Sequence, residues 1–389
     1  MAEKIIPSNY YKGFHSIFTG VDLKESIDFV LEKLSYVKER IKTYNLSKKD
    51  SEVIDKLITS YNKLIKNISL EKEDMLLKEH EIVELKKISN INLARYFVYR
   101  YKYNIYPKLN LVDEYPPCLQ IEPTSICNFR CVMCFQIDQS FSHKSNGFMG
   151  LMSMDIFKKT IDEIAGKIEA VTFASRGEPT LHKNFVDMLN YCEGKFLALK
   201  MNTNASRLNE NLIHSILSSD LQTIVFSVDA RDKIEYEKIR VGGNFEKVQK
   251  NLELFNDIRT KHYSREDKIV RISGVKINQK QNVEDMKNKW GDLVDMVSFV
   301  NYIPWENSYE NNINNIKTRC PELWLRMFVW HDGKVNPCDY DYKSELSKWN
   351  MKDNTITDIW TSNEYNEYRT AHLQEKRKTL SPCNRCNSC

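Results

Sequence analysis

Apolar residues recur every three or four positions along the first hundred residues. Ile27, Val30, Leu31, Leu34, Val37 and Ile41 make one stripe, and Val53, Ile54, Leu57, Ile58, Tyr61, Leu64, Ile65 and Ile68 make a second. Positions so spaced share one face of a helix. The same rule predicts a third helix over Met75–Ile88 and a fourth from Asn92 to about Ile105. Lys and Glu fill the outward faces. These segments are short, so they read as a bundle packed on the rest of the chain, with a coiled-coil partner as the alternative. Residues 1–20 are aromatic and show no period.

Pro107, Pro116 and Pro117 mark a boundary, and the rhythm then changes. Cys118–Ser125, Glu169–Ser175, Phe196–Asn204, Thr223–Ala230, Lys268–Ile277 and Asp295–Ile303 are strand-like. Helical periods separate them, at Ser153–Lys167 (Ser153 as N-cap), Phe185–Gly194, Asn209–Ser219, Asn244–Tyr263 and Val283–Val294. Six strands alternating with helices predict an α/β fold with a parallel sheet, curled as a partial barrel or wound as an open sheet. Either form puts site groups at the C-terminal strand ends. After about 306 come Asn-rich loops, a hairpin near Leu325–Cys338 and a short helix around Ile356–His372. This tail has little apolar content and calls for an additional staple.

The full length of 389 residues suits two or three domains. The divisions predicted are 1–112, helical; 113–306, the barrel; and 307–389, the tail. A net charge of +4, from 57 basic and 53 acidic residues, excludes a polyanion binder driven by net charge alone. Arg95–Tyr106 mixes cations with aromatics and has the composition of a single-strand stacking surface. No nucleic-acid motif accompanies it, so it reads as a helix docking its aromatic face. No apolar run is long enough for a membrane span, and the start shows no apolar leader, so a cytoplasmic chain is expected.

Cysteine changes the picture. There are 10, and in a reducing compartment such clusters read as metal ligands or redox groups rather than disulfides. Cys127, Cys131 and Cys134 form C-x3-C-x2-C directly after the first barrel strand. A closed zinc site wants four ligands, whereas an iron–sulfur cluster held by three thiolates keeps one iron open. Spacing alone leaves both readings standing.

Beside its neighbours the motif resembles the radical S-adenosylmethionine (radical SAM) superfamily. Ala174-Ser-Arg-Gly177-Glu178-Pro179 resembles that family's GGEP segment, Asn202-Thr203-Asn204-Ala205 its TNG-type segment, and Ser227-Val-Asp229 its S-x-D segment. Tyr236-Glu-Lys-Ile-Arg240-Val-Gly-Gly243 follows, as in many members with auxiliary clusters. The resemblance implies a partial (β/α)6 TIM-like barrel and a 4Fe–4S cluster on Cys127, Cys131 and Cys134, with S-adenosylmethionine chelating its open iron. Glu178 and strand-end backbone would hold the ammonium, Gly177 would give close approach, and Arg240 would pair with the carboxylate. Asn204 and Ser227 would meet the ribose, while Met133 and Val275 would flank the adenine. A strand-end cap, a turn and a structural ion pair are the alternative roles of Ser227, Asn204 and Arg240. Two departures stand out. Met133 occupies a position that is often aromatic, and Arg176 replaces the first glycine of the GGEP pattern.

In the tail, Cys320-x12-Gly333-x4-Cys338 with Cys383 and Cys386 resembles the family's SPASM extension in its shortened, twitch form, which carries one auxiliary 4Fe–4S cluster. Cys389 is an alternative ligand or a spare thiol, and a zinc ribbon is the competing reading of the set. Cys118 and Cys192 read as buried thiols.

The resemblance implies reductive cleavage of S-adenosylmethionine to a 5′-deoxyadenosyl radical, with an electron donor such as flavodoxin or ferredoxin. The leading reading is oxidation of a small-molecule substrate, a sugar or aminocyclitol-type alcohol, with the auxiliary cluster taking an electron. Sugar epimerisation, with Cys389 or Cys192 as hydrogen donor, and thioether or carbon–carbon crosslinking of a ribosomal peptide are the alternatives. A zinc-binding interaction protein is the non-enzyme reading. No residue stands out as a catalytic base; Asp339, Tyr340 and Asp341 follow an auxiliary ligand and read either as facing the pocket or as an ordinary hairpin exit rich in Asp and Tyr.

Overall fold

The computed structural model describes residues 10–12, 23–278 and 281–388. Four helices lead: α1 (Leu23–Glu39), α2 (Lys48–Ile65), α3 (Glu79–Leu85) and α4 (Leu93–Leu109). Their apolar stripes meet in one core that joins Val30, Leu34 and Val37 to Val53, Ile54 and Leu57 and to Tyr96, Phe97 and Tyr101. α3 is shorter than its period predicts. Met75 and Leu77 are buried in extended chain before it, their amides donating to Ser60 Oγ (3.2 Å) and Tyr61 Oη (3.0 Å). α4 runs beyond Ile105 and takes Pro107 into its last turn, where proline removes one backbone donor.

Ten strands follow in one sheet: β1 (Tyr10–Lys12), β2 (Cys118–Ile121), β3 (Ala170–Phe173), β4 (Ala198–Thr203), β5 (Leu221–Ser227), β6 (Ile269–Lys276), β7 (Met296–Asn301), β8 (Arg326–Val329), β9 (Lys334–Asn336) and β10 (Trp349–Asn350). Their order is β1-β7-β6-β5-β4-β3-β2-β8-β9-β10. β2 to β7 pair in parallel, each with the next, as the six-strand alternation predicts. Among the described residues the sheet ends at β1 and β10, so the barrel is partial.

Successive strand residues face opposite sides. Leu199, Met201, Ile224, Phe226, Val270, Ile272 and Val297 pack outward under the helices. Lys200, Asn202, Thr223, Ser227, Arg271, Ser273 and Ser298 therefore face the barrel interior, and all seven are partly exposed. The N-terminal bundle sits under this interior. Its core includes Cys118 and Ala170 at the starts of β2 and β3, with Leu197 and Ala198 packed against it. Arg95 of α4 grips Glu169 through two hydrogen bonds of 2.8 and 2.9 Å. The aromatic face of α4 docks here, as the composition of Arg95–Tyr106 suggests.

The tail shares the barrel's sheet and core. β8 lies parallel to β2, and Trp324, Met327, Val335, Met351 and Trp360 belong to the barrel's apolar cluster. That sharing explains how a segment with little apolar content folds. The helix expected over Ile356–His372 is two, Ile356–Trp360 and Asn363–Leu373, because Ser362 caps the second. Among the described residues no helix is long and apolar enough to cross a membrane.

Candidate active site

Cys127, Cys131 and Cys134 lie on the loop leaving the C-terminal end of β2. Backbone bonds pin this loop to the residues that follow β5: Arg130 N donates to Val241 O (2.7 Å) and Val132 N to Ile239 O (3.0 Å). Asn204 Nδ2 donates to Asn128 Oδ1 (3.0 Å), and Asn128 Nδ2 to Ser206 Oγ (2.9 Å). Phe129, Cys131, Met133 and Ile239 form a small apolar cluster against which Cys127, Cys134 and Val275 pack. The fold thus gathers Met133, Val275 and the three thiols. Burial pushes the Cys127 thiol up to about 12 and raises those of Cys131 and Cys134. Soft donors buried this way become thiolates when a metal's positive charge lies beside them, which fits an iron–sulfur cluster. Phe129 N (3.5 Å from Cys127 Sγ) and Arg240 Nη1 (3.8 Å from Cys131 Sγ) already donate to sulfur.

Gly177 serves a different approach from the one expected. A Cβ there would lie 2.2 Å from Thr124 O and 2.6 Å from Ile126 O, so glycine lets the loop after β3 touch the backbone leading into Cys127. Glu178 N completes the contact, donating to Ile126 O (2.9 Å). Since the clash is with backbone, Gly177→Ala should displace the cysteine loop. The expected result is a folded chain by circular dichroism that retains about half the parent's iron after reconstitution; full iron content would refute this role.

Glu178 is buried, and burial raises its carboxyl pKa. Its Oε1 accepts from Thr180 N, Thr180 Oγ1 and Thr203 Oγ1, while Oε2 accepts from Asn204 N (2.7 Å). Oε2 therefore keeps acceptor capacity for a ligand cation. The two threonines escape the sequence reading, as does Ser175. That residue has a φ of 119° and a buried Oγ that finds no hydrogen-bond partner among the described residues, just after β3. Arg240 Nε pairs with Asp229 Oδ2 at 2.5 Å, and Asp229 Oδ1 accepts from Val275 N (2.7 Å). The aspartate of the S-x-D segment thus sets both Arg240 and Val275 beside the cysteine loop. Ser227 ends β5 in register with Ser273, and Ser273 with Ser298.

Arg176, the cation in a glycine's place, reaches another part of the protein. Its Nε and Nη2 donate to Glu122 at 2.6 and 2.7 Å, its Nη1 to Tyr342 O at 2.8 Å, and its guanidinium lies 4.3 Å from the Trp330 ring centroid. His331 Nδ1 is 3.1 Å from the same carboxylate. This network ties the ends of β2 and β3 to the tail.

In the tail, Cys320, Cys338, Cys383 and Cys386 line one pocket with His372 and Arg377. Sequence reasoning missed Arg377. Its buried guanidinium donates to Cys383 O (3.0 Å), Cys386 O (2.8 Å) and Thr318 O (3.1 Å), clamping the last cysteines to the segment that carries Cys320. Tyr340 N and Ser388 N each donate to a cysteine sulfur at 3.3 Å. Among the described residues no three His, Cys, Asp or Glu close on a single-ion position, and the four cysteines border a space instead. Tyr340 and Asp341 line this pocket too; the Asp341 carboxylate accepts from Tyr309 Oη (2.7 Å), Glu345 N (2.8 Å) and Leu346 N (2.9 Å), and Tyr340 Oη donates to Pro304 O (3.1 Å). Cys118 and Cys192 are buried in apolar cores, and Cys389 lies outside the described residues.

An open parallel α/β barrel carries three thiols on its first loop, and a cysteine-lined pocket is stitched to its rim, two places where thiolates could hold iron–sulfur clusters. Residues 121–286 match the family described as the Radical SAM superfamily, and residues 320–387 match SPASM, an iron-sulfur cluster-binding domain. The two matches span more than half the chain, which belongs to the radical SAM superfamily and carries its SPASM-type extension. Its cofactors are S-adenosylmethionine and a 4Fe–4S cluster for the barrel, with auxiliary iron–sulfur binding in the tail. The tungsten-containing aldehyde ferredoxin oxidoreductase cofactor-modifying protein of Pyrococcus furiosus is 24% identical over 323 residues, 70% of this chain and 88% of that protein. The mycofactocin maturase MftC of Mycolicibacterium smegmatis is 24% identical over 156 residues, 39% of this chain and 38% of its own. Streptococcus suis SuiB bound to its precursor peptide SuiA shares the fold, with a TM-score of 0.54 at 18% identity over 94% of this chain and 87% of SuiB.

Proposed function

We propose that this chain dehydrogenates a hydroxyl-bearing carbon of a small sugar- or aminocyclitol-type molecule held inside the barrel. The observation that carries this reading is the pair of hydroxyls Ser273 and Ser298, side by side across β6 and β7, next to Ser227 on β5 at the ribose position. Thr223 and Asn202 extend it downward, and Asn202 Oδ1 has no hydrogen-bond partner among the described residues. Such a wall suits a polyol. α4 and its neighbours close the far end, so a ligand enters beside the cysteine loop.

Cys127, Cys131 and Cys134 hold the first cluster in this reading, and Cys320, Cys338, Cys383 and Cys386 the second. Glu178 Oε2 takes the ammonium of S-adenosylmethionine, Arg240 its carboxylate, Asn204 and Ser227 its ribose, and Met133 and Val275 flank its adenine. Gly177 sets the loop. When bound, these groups would supply a 5′-deoxyadenosyl radical and an acceptor for one further electron. The alcohol carbon would give up its hydrogen atom to that radical, the hydroxyl its proton to water and the remaining carbon radical its electron to that acceptor, leaving a carbonyl. The divisions 1–112, 113–306 and 307–389, a cytoplasmic setting and a flavodoxin- or ferredoxin-type donor belong to the same proposal. Epimerisation through Cys192 finds no support, since that thiol lies in the core on the helix side of the sheet.

A substrate deuterated at the reacting carbon tests the reading. The label is expected in 5′-deoxyadenosine, with a carbonyl product. An alcohol product carrying solvent hydrogen would point to epimerisation, and a crosslinked peptide to peptide maturation; either overturns dehydrogenation.

A further inference from the structure

Two side chains inside the barrel take no part in holding clusters or in the hydroxyl wall. Lys200 on β4 stands level with Thr172 and Thr223, and Arg271 on β6 stands level with Val225. Both face the interior, because Leu199, Met201, Val270 and Ile272 beside them pack outward under the helices. Among the described residues neither cation has a carboxylate at ion-pair distance, and Arg271 Nε is buried without a hydrogen-bond partner.

The surroundings add positive charge. Arg326 on β8 is the third cation there, and Glu322 pairs with it at 2.5 Å. Cys118 and Tyr103 complete the titratable groups acting on Lys200 and Arg271, along with His80 of α3, which burial holds down to about 4 and so neutral. Burial, then the charges of Arg271 and Arg326, brings the Lys200 amine down to about 7. Cations gathered in a partly desolvated interior are costly, and an anion between them relieves both the desolvation and the repulsion. A floor that served only packing would carry apolar side chains, as the outward face of these strands does.

We propose that Lys200 and Arg271 form an oxyanion subsite on the barrel floor, which binds a phosphate or carboxylate group of the substrate. The inference rests on the substrate lying in the barrel, as in the proposed function. Register gives the reach. Arg271 lies two residues, about 7 Å, below Ser273, and Thr223, level with Lys200, lies four residues, about 13 Å, below Ser227. One sugar ring carrying an anionic group spans that depth, with its anion on the floor and its hydroxyls at Ser273 and Ser298. The guanidinium offers a fork for two oxyanion oxygens and the ammonium a point charge for the third.

Anaerobic titration calorimetry on the reconstituted full chain tests the subsite directly, with inorganic pyrophosphate as the phosphate probe and malonate as the carboxylate probe. The parent should bind at least one of them, and the one it prefers identifies the source of the oxyanion. Lys200→Gln and Arg271→Gln should each weaken that probe by about tenfold or more, and the double variant should abolish binding. S-adenosylmethionine binding and iron content, unchanged in all three, certify the fold. A parent that binds neither probe, or variants that bind as the parent does, would overturn the proposal. A second arm compares deoxyadenosine release stimulated by a sugar, its phosphate and its uronic acid. Floor-dependent probe binding without a carbonyl product from any of them would leave the subsite standing and sink the dehydrogenase reading.

Discussion

A Cys131→Ala chain should release no detectable 5′-deoxyadenosine and should retain about four irons where the parent holds about eight. Cys131 is the central donor of the loop, buried with Met133 and Ile239 and approached by Arg240 Nη1. Three thiolates bind three of the four irons and leave one open for a chelating ligand, and losing one of them leaves the cluster with too few anchors. Cys118 and Cys192 sit in other parts of the core. Anaerobic reconstitution, iron and sulfide counting and chromatography of the quenched reaction measure the result. Retained deoxyadenosine release would remove Cys131 from the cluster, and zinc in place of iron in the parent would remove the cluster itself.

Arg176→Leu should cost about 3–5 kcal/mol of stability, the usual penalty for stranding a buried charge. Glu122 is 0% exposed, and Arg176 supplies it with three donors while His331 supplies two. Removing the guanidinium also empties the face of Trp330. Denaturant unfolding of the reconstituted protein should show the loss, and adding Glu122→Leu should restore most of it. If the single variant unfolds with the parent's midpoint, the network carries no stability. Acid gives a second handle. Burial raises the Glu122 carboxyl, but Arg176 and His331 outweigh it and hold the group at about 2, against an ordinary 4.5. The folded value is the lower one, so the stabilisation is complete above about pH 4.5 and fades as pH falls toward 2. That difference corresponds to about 3 kcal/mol, and the double variant should lose this acid sensitivity.

The barrel was legible because its signals are local and periodic. Six strands and five of their partner helices follow from apolar spacing and caps such as Ser153, whose Oγ accepts from Ile156 N (3.2 Å). The cysteines that the structure gathers on the first loop and around the tail pocket are legible because they stand at short spacings. What escaped depends on contacts distant in sequence. Arg176 reads as a bulky intruder until Glu122, Trp330 and Tyr342 surround it. Arg377 reads as one more surface cation in a Lys- and Arg-rich stretch, yet its donors fall on carbonyls of the closing cysteines. Lys200 and Arg271 are ordinary polar positions in alternating strands, and only the pairing of β4, β5 and β6 turns them to a common floor. Gly177 was expected to let the backbone approach a ligand, and what approaches it is the backbone before Cys127, a tertiary fact.

The parallel pairing of β8 with β2 sets an order of assembly. As the chain leaves the ribosome, β2 emerges early, and β3 can cover one of its edges soon after. Its other edge waits for Arg326–Val329, some two hundred residues later. Throughout that interval the strand that launches the cysteine loop presents an open row of amides and carbonyls, the kind of template on which neighbouring chains pair. Synthesis is therefore the vulnerable period of this protein's life, and slow translation or overexpression should divert it into aggregates before any iron arrives.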